Sequence, residues 1–123
     1  MFELTVSGYF SGAHRLRGYR GKCENLHGHN WKVDVIVSGK PDELGMVIDF
    51  TVLKQCLEKV LSTLDHKYLN DISYFKKNNP SSENLAVYIF SKIQKTLLKY
   101  RIEVKKITVW ENEKQCASYS NSK

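Results

Sequence analysis

No stretch of this sequence approaches the apolar length of a membrane span. Its first residues, Met1-Phe2-Glu3-Leu4-Thr5-Val6, alternate apolar and polar side chains where a secretory leader would run from basic residues into an apolar stretch. The expectation is therefore a soluble, cytoplasmic protein with no membrane partner. Cysteine is scarce. Three thiols, an odd number without regular spacing, make no disulfide framework and suit a reducing compartment. Also missing are an internal repeat, a compositional shift that would mark a second domain, and an aromatic-interleaved basic stripe or nucleic-acid motif. One domain over residues 1–123, with no nucleic-acid partner, is the expectation.

What is present is enough for a core, at 41% hydrophobic residues. The charge balance, 19 Lys and Arg against 13 Asp and Glu, is +6 and suits an anionic partner, whether nucleic acid, a phosphorylated small molecule or an anionic membrane surface, and the sign alone does not choose among them. Many of the lysines (Lys92, Lys95, Lys99, Lys105, Lys106) fall where a solvated face is the simpler explanation.

Phe2, Leu4, Val6 and Phe10 alternate with polar residues as in a half-buried strand, and the Gly- and Arg-rich residues from Gly12 to Asn25 predict a functional loop. Trp31, Val33, Val35 and Val37 form a second strand in phase with His27 and His29. Asp49 is a plausible N-cap for a helix burying Leu53, Cys56, Leu57, Val60, Leu61 and Leu64. After a polar loop to Pro80, Ser81 or Ser82 caps a second helix with Leu85, Ala86, Ile89, Phe90, Ile93 and Leu97 inward. Glu103–Glu111 and Cys116–Tyr119 then predict two strands joined by a hairpin turn. Cys56 and Cys116 read as small buried or half-buried side chains. The pattern predicts an α+β fold of ββααββ order, an antiparallel four-stranded sheet with both helices on one face. Ile36, Tyr9 and Trp110 would remain on the other face, which points to a homo-oligomer.

The chemistry concentrates in Cys23-Glu-Asn-Leu-His27-Gly-His29. In an extended segment His27 and His29 project from one face, and with His14 they make a three-histidine set that leaves a fourth position open, the pattern of a catalytic zinc. The competing explanation is three unrelated surface histidines. Cys23 has cationic neighbours that favour a thiolate, although a fourth zinc ligand or an inert thiol explains it equally well. Asp65-His66 reads either as an orienter with its proton carrier or as polar residues at a helix end. Glu111, in phase with Ile107 and Val109, reads as an acceptor for a guanidine-like heterocycle edge or as an exposed strand end.

The segments Ser11-Gly-Ala-His14-Arg-Leu16, Cys23–Asn30, Gly45-Met-Val-Ile-Asp-Phe50, Leu64-Asp-His-Lys-Tyr-Leu-Asn70 and Pro80-Ser-Ser-Glu-Asn-Leu-Ala86, with the late Glu111, occur in this order. Together they resemble the 6-pyruvoyltetrahydropterin synthase and 6-carboxytetrahydropterin synthase family, over nearly the whole chain. The resemblance implies a tunnelling fold, with subunits assembled as an oligomeric β-barrel, commonly a hexamer with active sites at subunit interfaces. It implies Zn2+ on His14, His27 and His29, and Cys23 as proton acceptor. Asp65, His66 and Glu111 would complete the relay and the pterin anchoring, and Ser81, Ser82 and Glu83 the turn that contacts pterin. Three residues between Cys23 and His27 look more like the carboxytetrahydropterin branch. That branch is a zinc-dependent carbon–carbon lyase of queuosine biosynthesis, converting 7,8-dihydroneopterin triphosphate to 6-carboxy-5,6,7,8-tetrahydropterin, acetaldehyde and triphosphate. The alternatives are 6-pyruvoyltetrahydropterin synthesis from the same substrate, or a non-catalytic zinc- or pterin-binding oligomer.

Overall fold

The alternation that begins at Phe2 runs further than the turn-rich residues after Gly12 suggest. In the computed structural model, which describes residues 1–18 and 26–121, β1 spans Phe2–His14 and pairs along its whole length with antiparallel β2, His27–Gly39. Residues 27–30 offer a ladder to the end of β1, so its backbone polar groups are satisfied by pairing even where the side chains lack periodicity. The register sets Phe10 opposite Trp31, Gly12 opposite His29 and His14 opposite His27.

Helix α1, Phe50–Ser62, begins as expected at Asp49, whose side chain accepts from the Thr51 amide, and buries Leu53, Cys56, Leu57, Val60 and Leu61. The polar loop that follows holds more structure than its composition predicts. It contains β3 (Lys67–Tyr68), a 3-10 turn at Leu69–Asp71 and the short α2 (Ser73–Lys77). Helix α3, Ser82–Thr96, is capped by Ser81, and β4 (Ile102–Asn112) and β5 (Gln115–Ser120) close the chain as a hairpin.

The sheet corrects the expected architecture in one respect. It has five strands in the order β3-β1-β2-β4-β5, and it is mixed, because β3 lies parallel to β1 through Gly12–Lys67 and Ala13–Tyr68. The predicted antiparallel four-stranded sheet lacks this edge. Two residues carry no periodicity, and only docking of the loop against β1 makes them a strand.

The two long helices cover one face. A Cβ on Gly8 would stand 2.8 Å from Leu61 Cδ1 and 3.1 Å from Leu57 Cδ2, so a glycine is what lets α1 lie directly on β1. On the other side Phe90 of α3 meets Tyr119 of β5 edge to face at 5.0 Å. Fully burying a leucine such as Leu57 or Leu85 is worth about 1.5–3 kcal/mol, and rows of such side chains fix the layers. On the open face Tyr9 is 69% exposed, while the Asp34 carboxylate accepts from Ser7 Oγ at 2.6 Å and Trp110 Nε1 at 3.0 Å. Cys56 is buried as expected, but Cys116, on the edge strand β5, is exposed. Among the described residues no helix is long and apolar enough to cross a membrane.

One irregularity matters for the site. Ile36 pairs with Lys106 but Val37 pairs with Val104, so Lys105 is an extra residue in β4. Such a bulge reverses the side-chain phase, and Val104 and Ile107 both reach the core although an even number of residues would normally separate opposite faces. Downstream of it Ile107, Val109 and Glu111 share the helix-covered face.

Candidate metal centre

The paired ends of β1 and β2 stack three rungs on the core face: the Phe10–Trp31 pair, Gly12 opposite His29, and His14 opposite His27. Phe10 and Trp31 lie parallel with centroids 5.7 Å apart, and Trp31, fully buried, donates from Nε1 to the Gly12 carbonyl at 3.1 Å. Its ring meets both His14 and His29 edge on, at 5.0 and 5.3 Å, and forms a rigid floor beneath them.

His14, 1% exposed, contacts the Pro80 carbonyl oxygen through Nδ1 at 2.7 Å. A carbonyl only accepts, so the proton is on Nδ1 and the Nε2 lone pair is free to bind a metal. That Nε2 lies 3.2 Å from His27 Nε2 and 3.6 Å from Glu111 Oε2, and Glu111 Oε2 lies 3.9 Å from His29 Nε2. His29 Nε2 is buried without a hydrogen-bond partner, which leaves its desolvation uncompensated unless an ion sits beside it. One ligand atom from each of His14, His27, His29 and Glu111 falls within 4.8 Å of the others. Donors bonded to zinc at about 2.0–2.1 Å in a tetrahedron stand about 3.4 Å apart, so these residues fit a metal ion of that kind.

Electrostatics agree with a ligand role. Burial lowers the affinity of His14 for a proton, with the His27 and His29 rings acting in the same direction and the Pro80 bond and Glu111 opposing. Burial likewise lowers that of His29, against the pull of Glu111. Neutral imidazole is the form that binds metals.

Side chains that the sequence did not single out hold this cluster. The Asn70 amide bonds both sides of the Arg15 peptide, accepting from its N–H at 2.9 Å and donating to its carbonyl at 2.8 Å. Asn79 repeats the arrangement on Arg17, at 3.1 and 2.9 Å. Two amide side chains thus act as a strand for residues 15–17, immediately after His14. The only sequence signal was that Asn70 ends one of the family-like segments and Asn79 precedes Pro80.

The other predicted residues are distributed unevenly. Asp65 Oδ1 accepts from the Ser11 amide at 2.8 Å, the His66 amide donates to the Ser11 carbonyl at 2.6 Å, and His66 Nδ1 stands 3.0 Å from Asp65 Oδ2. The Ser11 amide is the chief reason that the Asp65 carboxyl is held below the usual carboxylate range; partial burial opposes it and His66 assists. His66 has φ 57°, a left-handed conformation costing about 1–2 kcal/mol outside glycine, and these contacts hold it there with its ring 81% exposed. It lines an open cleft of about 460 Å³ together with His29, Gly12 and Tyr68. Ser81 is the N-cap of α3, its Oγ accepting from the Asn84 amide at 3.1 Å, while Ser82 is half-buried and Glu83 exposed. Cys23 lies outside the described residues.

Comparison with known proteins follows the same outline. Residues 3–122 match the family described as 6-pyruvoyl tetrahydropterin synthase. A 6-pyruvoyl tetrahydrobiopterin synthase of Poecilia reticulata is 43% identical over 85% of this chain and 86% of its own. A protein of Archaeoglobus fulgidus, named provisionally as a 6-carboxy-5,6,7,8-tetrahydropterin synthase, is 40% identical over 93% of this chain and 91% of its own. The solved 6-pyruvoyl tetrahydropterin synthase of Caenorhabditis elegans superposes with a TM-score of 0.89 at 33% identity, over 98% of this chain and 96% of that one. Sequence and fold therefore agree from end to end, and the chain belongs to the 6-pyruvoyl tetrahydropterin synthase family.

Proposed function

We propose that the chain is a zinc-dependent 6-carboxy-5,6,7,8-tetrahydropterin synthase, a single-domain carbon–carbon lyase acting in the cytoplasm on the route to queuosine. Its substrate is 7,8-dihydroneopterin triphosphate, and its products are 6-carboxytetrahydropterin, acetaldehyde and triphosphate. The convergence of His14, His27 and His29 on one point is the observation that carries the reading. The three residues between Cys23 and His27, a spacing that looks more like the carboxytetrahydropterin branch, favour this product over the pyruvoyl one.

Bound there, zinc supplies Lewis acidity toward substrate oxygens. The Pro80 carbonyl fixes the tautomer of His14 so that its free nitrogen points inward. Cys23, as thiolate, takes a proton from substrate carbon. Asp65 contacts Nδ1 of His66, which leaves Nε2 to carry a proton at the rim of the cleft. Glu111 receives the amino-pyrimidinone edge of the pterin by paired hydrogen bonds. Ser81, Ser82 and Glu83, in the turn whose Pro80 carbonyl touches His14, contribute to the pterin pocket. Arg15, Arg17, Arg20 and Lys22 are candidates for the triphosphate; the Arg17 guanidinium also donates to the Phe75 carbonyl, and Arg20 and Lys22 lie outside the described residues. The exposed Tyr9 and the half-buried Ile36 and Trp110 of the open face support assembly into a hexameric barrel with the sites at subunit interfaces.

The test is mass analysis of the product. Purified protein holding one zinc per chain should release acetaldehyde and form the 6-carboxy compound. Cys23→Ala should keep zinc and lose turnover, and His27→Ala should lose zinc. Unchanged substrate with stoichiometric zinc defeats the assignment and leaves a pterin- or zinc-binding oligomer. The Poecilia reticulata relative favours a second reading, 6-pyruvoyltetrahydropterin formation, which would appear as triphosphate release without acetaldehyde.

A further inference from the structure

The Pro80 carbonyl selects the tautomer of His14, so whatever aims that carbonyl governs a metal donor from outside the cluster. We propose that Asn84, in the first turn of α3, is the positioning residue that does so, by holding the Asn79–Pro80–Ser81 turn in the orientation His14 requires. The proposal rests on His14, His27 and His29 being the metal ligands, and it adds a residue that touches none of them.

The geometry of one peptide carries it. The Ser81 amide donates to the Asn79 carbonyl at 2.8 Å and closes a three-residue turn around Pro80. In a trans peptide the N–H and C=O point in opposite directions. Fixing the Ser81 N–H on Asn79 therefore turns the Pro80 carbonyl the other way, where His14 Nδ1 lies at 2.7 Å. The Asn84 side chain donates from Nδ2 to the same Asn79 carbonyl, also at 2.8 Å. That oxygen accepts twice, once from the turn and once from the helix, and both of its lone pairs are used.

The rest of the turn has little freedom of its own. Pro80 is buried, its ring fixes φ, and it has no N–H with which to make another bond. The Asn79 side chain is tied to both sides of the Arg17 peptide, at 3.1 and 2.9 Å. One end of Asn79 is thus fixed by the chain that follows His14, and the other by Asn84. The backbone amide of Asn84 has a separate partner, the Ser81 Oγ that caps α3, at 3.1 Å. The cap and the brace come from different atoms, so each can be removed alone. Because Ser81, Ser82 and Glu83 lie between Pro80 and Asn84, a molecule held by that turn and a metal held by His14 share one support.

The experiment uses the full chain, stripped and reconstituted with zinc or cobalt(II). Competition with a chromophoric chelator gives the zinc affinity, and cobalt absorption reports the geometry of the donors. Asn84→Ala should weaken zinc about tenfold, the low end for loss of an outer support of a metal-bound histidine, and shift the cobalt bands. Asn84→Asp has no N–H to donate but carries a charge that a helix N-terminus favours, so the same zinc defect in it is not the result of a frayed α3. Ser81→Ala, which removes the cap and leaves the Asn84 side chain in place, should lower stability to urea with zinc affinity and cobalt spectrum unchanged. Wild-type affinity and spectra in both Asn84 variants would overturn the proposal. So would an equal zinc defect in Ser81→Ala, which would assign the effect to the helix end as a whole. Loss of metal in His14→Ala with no effect in Asn84→Ala removes Asn84 alone, whereas retention of metal in His14→Ala removes the three-histidine site and the proposal with it.

Discussion

Replacing Asn70 by alanine tests whether side-chain amides really stand in for a strand beside His14. Asn70 is 8% exposed and lies 55 residues from Arg15 in sequence, so nothing local compensates for its loss. The substitution removes two hydrogen bonds, one of 2.9 Å from the Arg15 N–H and one of 2.8 Å to the Arg15 carbonyl. At a net worth of about 0.5–1.5 kcal/mol each, the loss is about 1–3 kcal/mol. Asn70→Asp separates the two halves: a carboxylate still accepts from the Arg15 N–H but cannot donate to the carbonyl, so it should lose half of that or more. Urea unfolding at one fixed protein concentration, with the slope m unchanged, reads both values without confusing them with subunit dissociation. If both variants stay within about 0.5 kcal/mol of wild type, a figure typical of inconsequential surface changes, the clamp has no energetic weight and the reasoning fails.

Three further outcomes follow from the same geometry. Gly8→Ala places a methyl group 2.8 Å from Leu61 Cδ1 and should cost about 1–3 kcal/mol through overpacking between β1 and α1, measured by denaturant; a neutral result would mean that α1 shifts freely. Ser81→Ala removes the acceptor for the Asn84 amide and should cost about 1 kcal/mol, and a rise in KM alongside would separate a pterin contact from the cap alone. Because the carboxyl of Asp65 has a depressed pKa in the folded state, its contribution is complete above the ordinary value of 3.8 and declines as pH falls through the folded value. The difference in unfolding midpoint between wild type and Asp65→Ala should therefore narrow on acidification below about 3.8, and a difference independent of pH down to strong acid would contradict it.

Much of the fold was legible where a residue's role depends on its near neighbours. The leucine stripe of α1, the caps at Asp49 and Ser81, the hairpin between β4 and β5 and the shared face of His27 and His29 are set by chemistry within a few residues. The stretch from Asp65 to Asn79 was not legible, because β3 and α2 are too short to show a period and exist by docking on β1. Glu111 was placed on the correct face by counting from Ile107, but its neighbours were not, since that face ends at the histidines only after the strands pair.

By itself, then, the sequence determined the two long helices and four of the five strands, which histidines are capable of binding a metal, and that two of them project together. Only the tertiary structure decided that His14 lies opposite His27, that the carbonyl of Pro80, 66 residues away, sets the tautomer of His14, and that Glu111 closes the group. The physical reason is range. Side-chain periodicity and capping are local properties of the backbone, whereas a metal centre needs donors from β1, β2 and β4 within a few ångströms. That proximity comes from strand register and from a single bulge at Lys105.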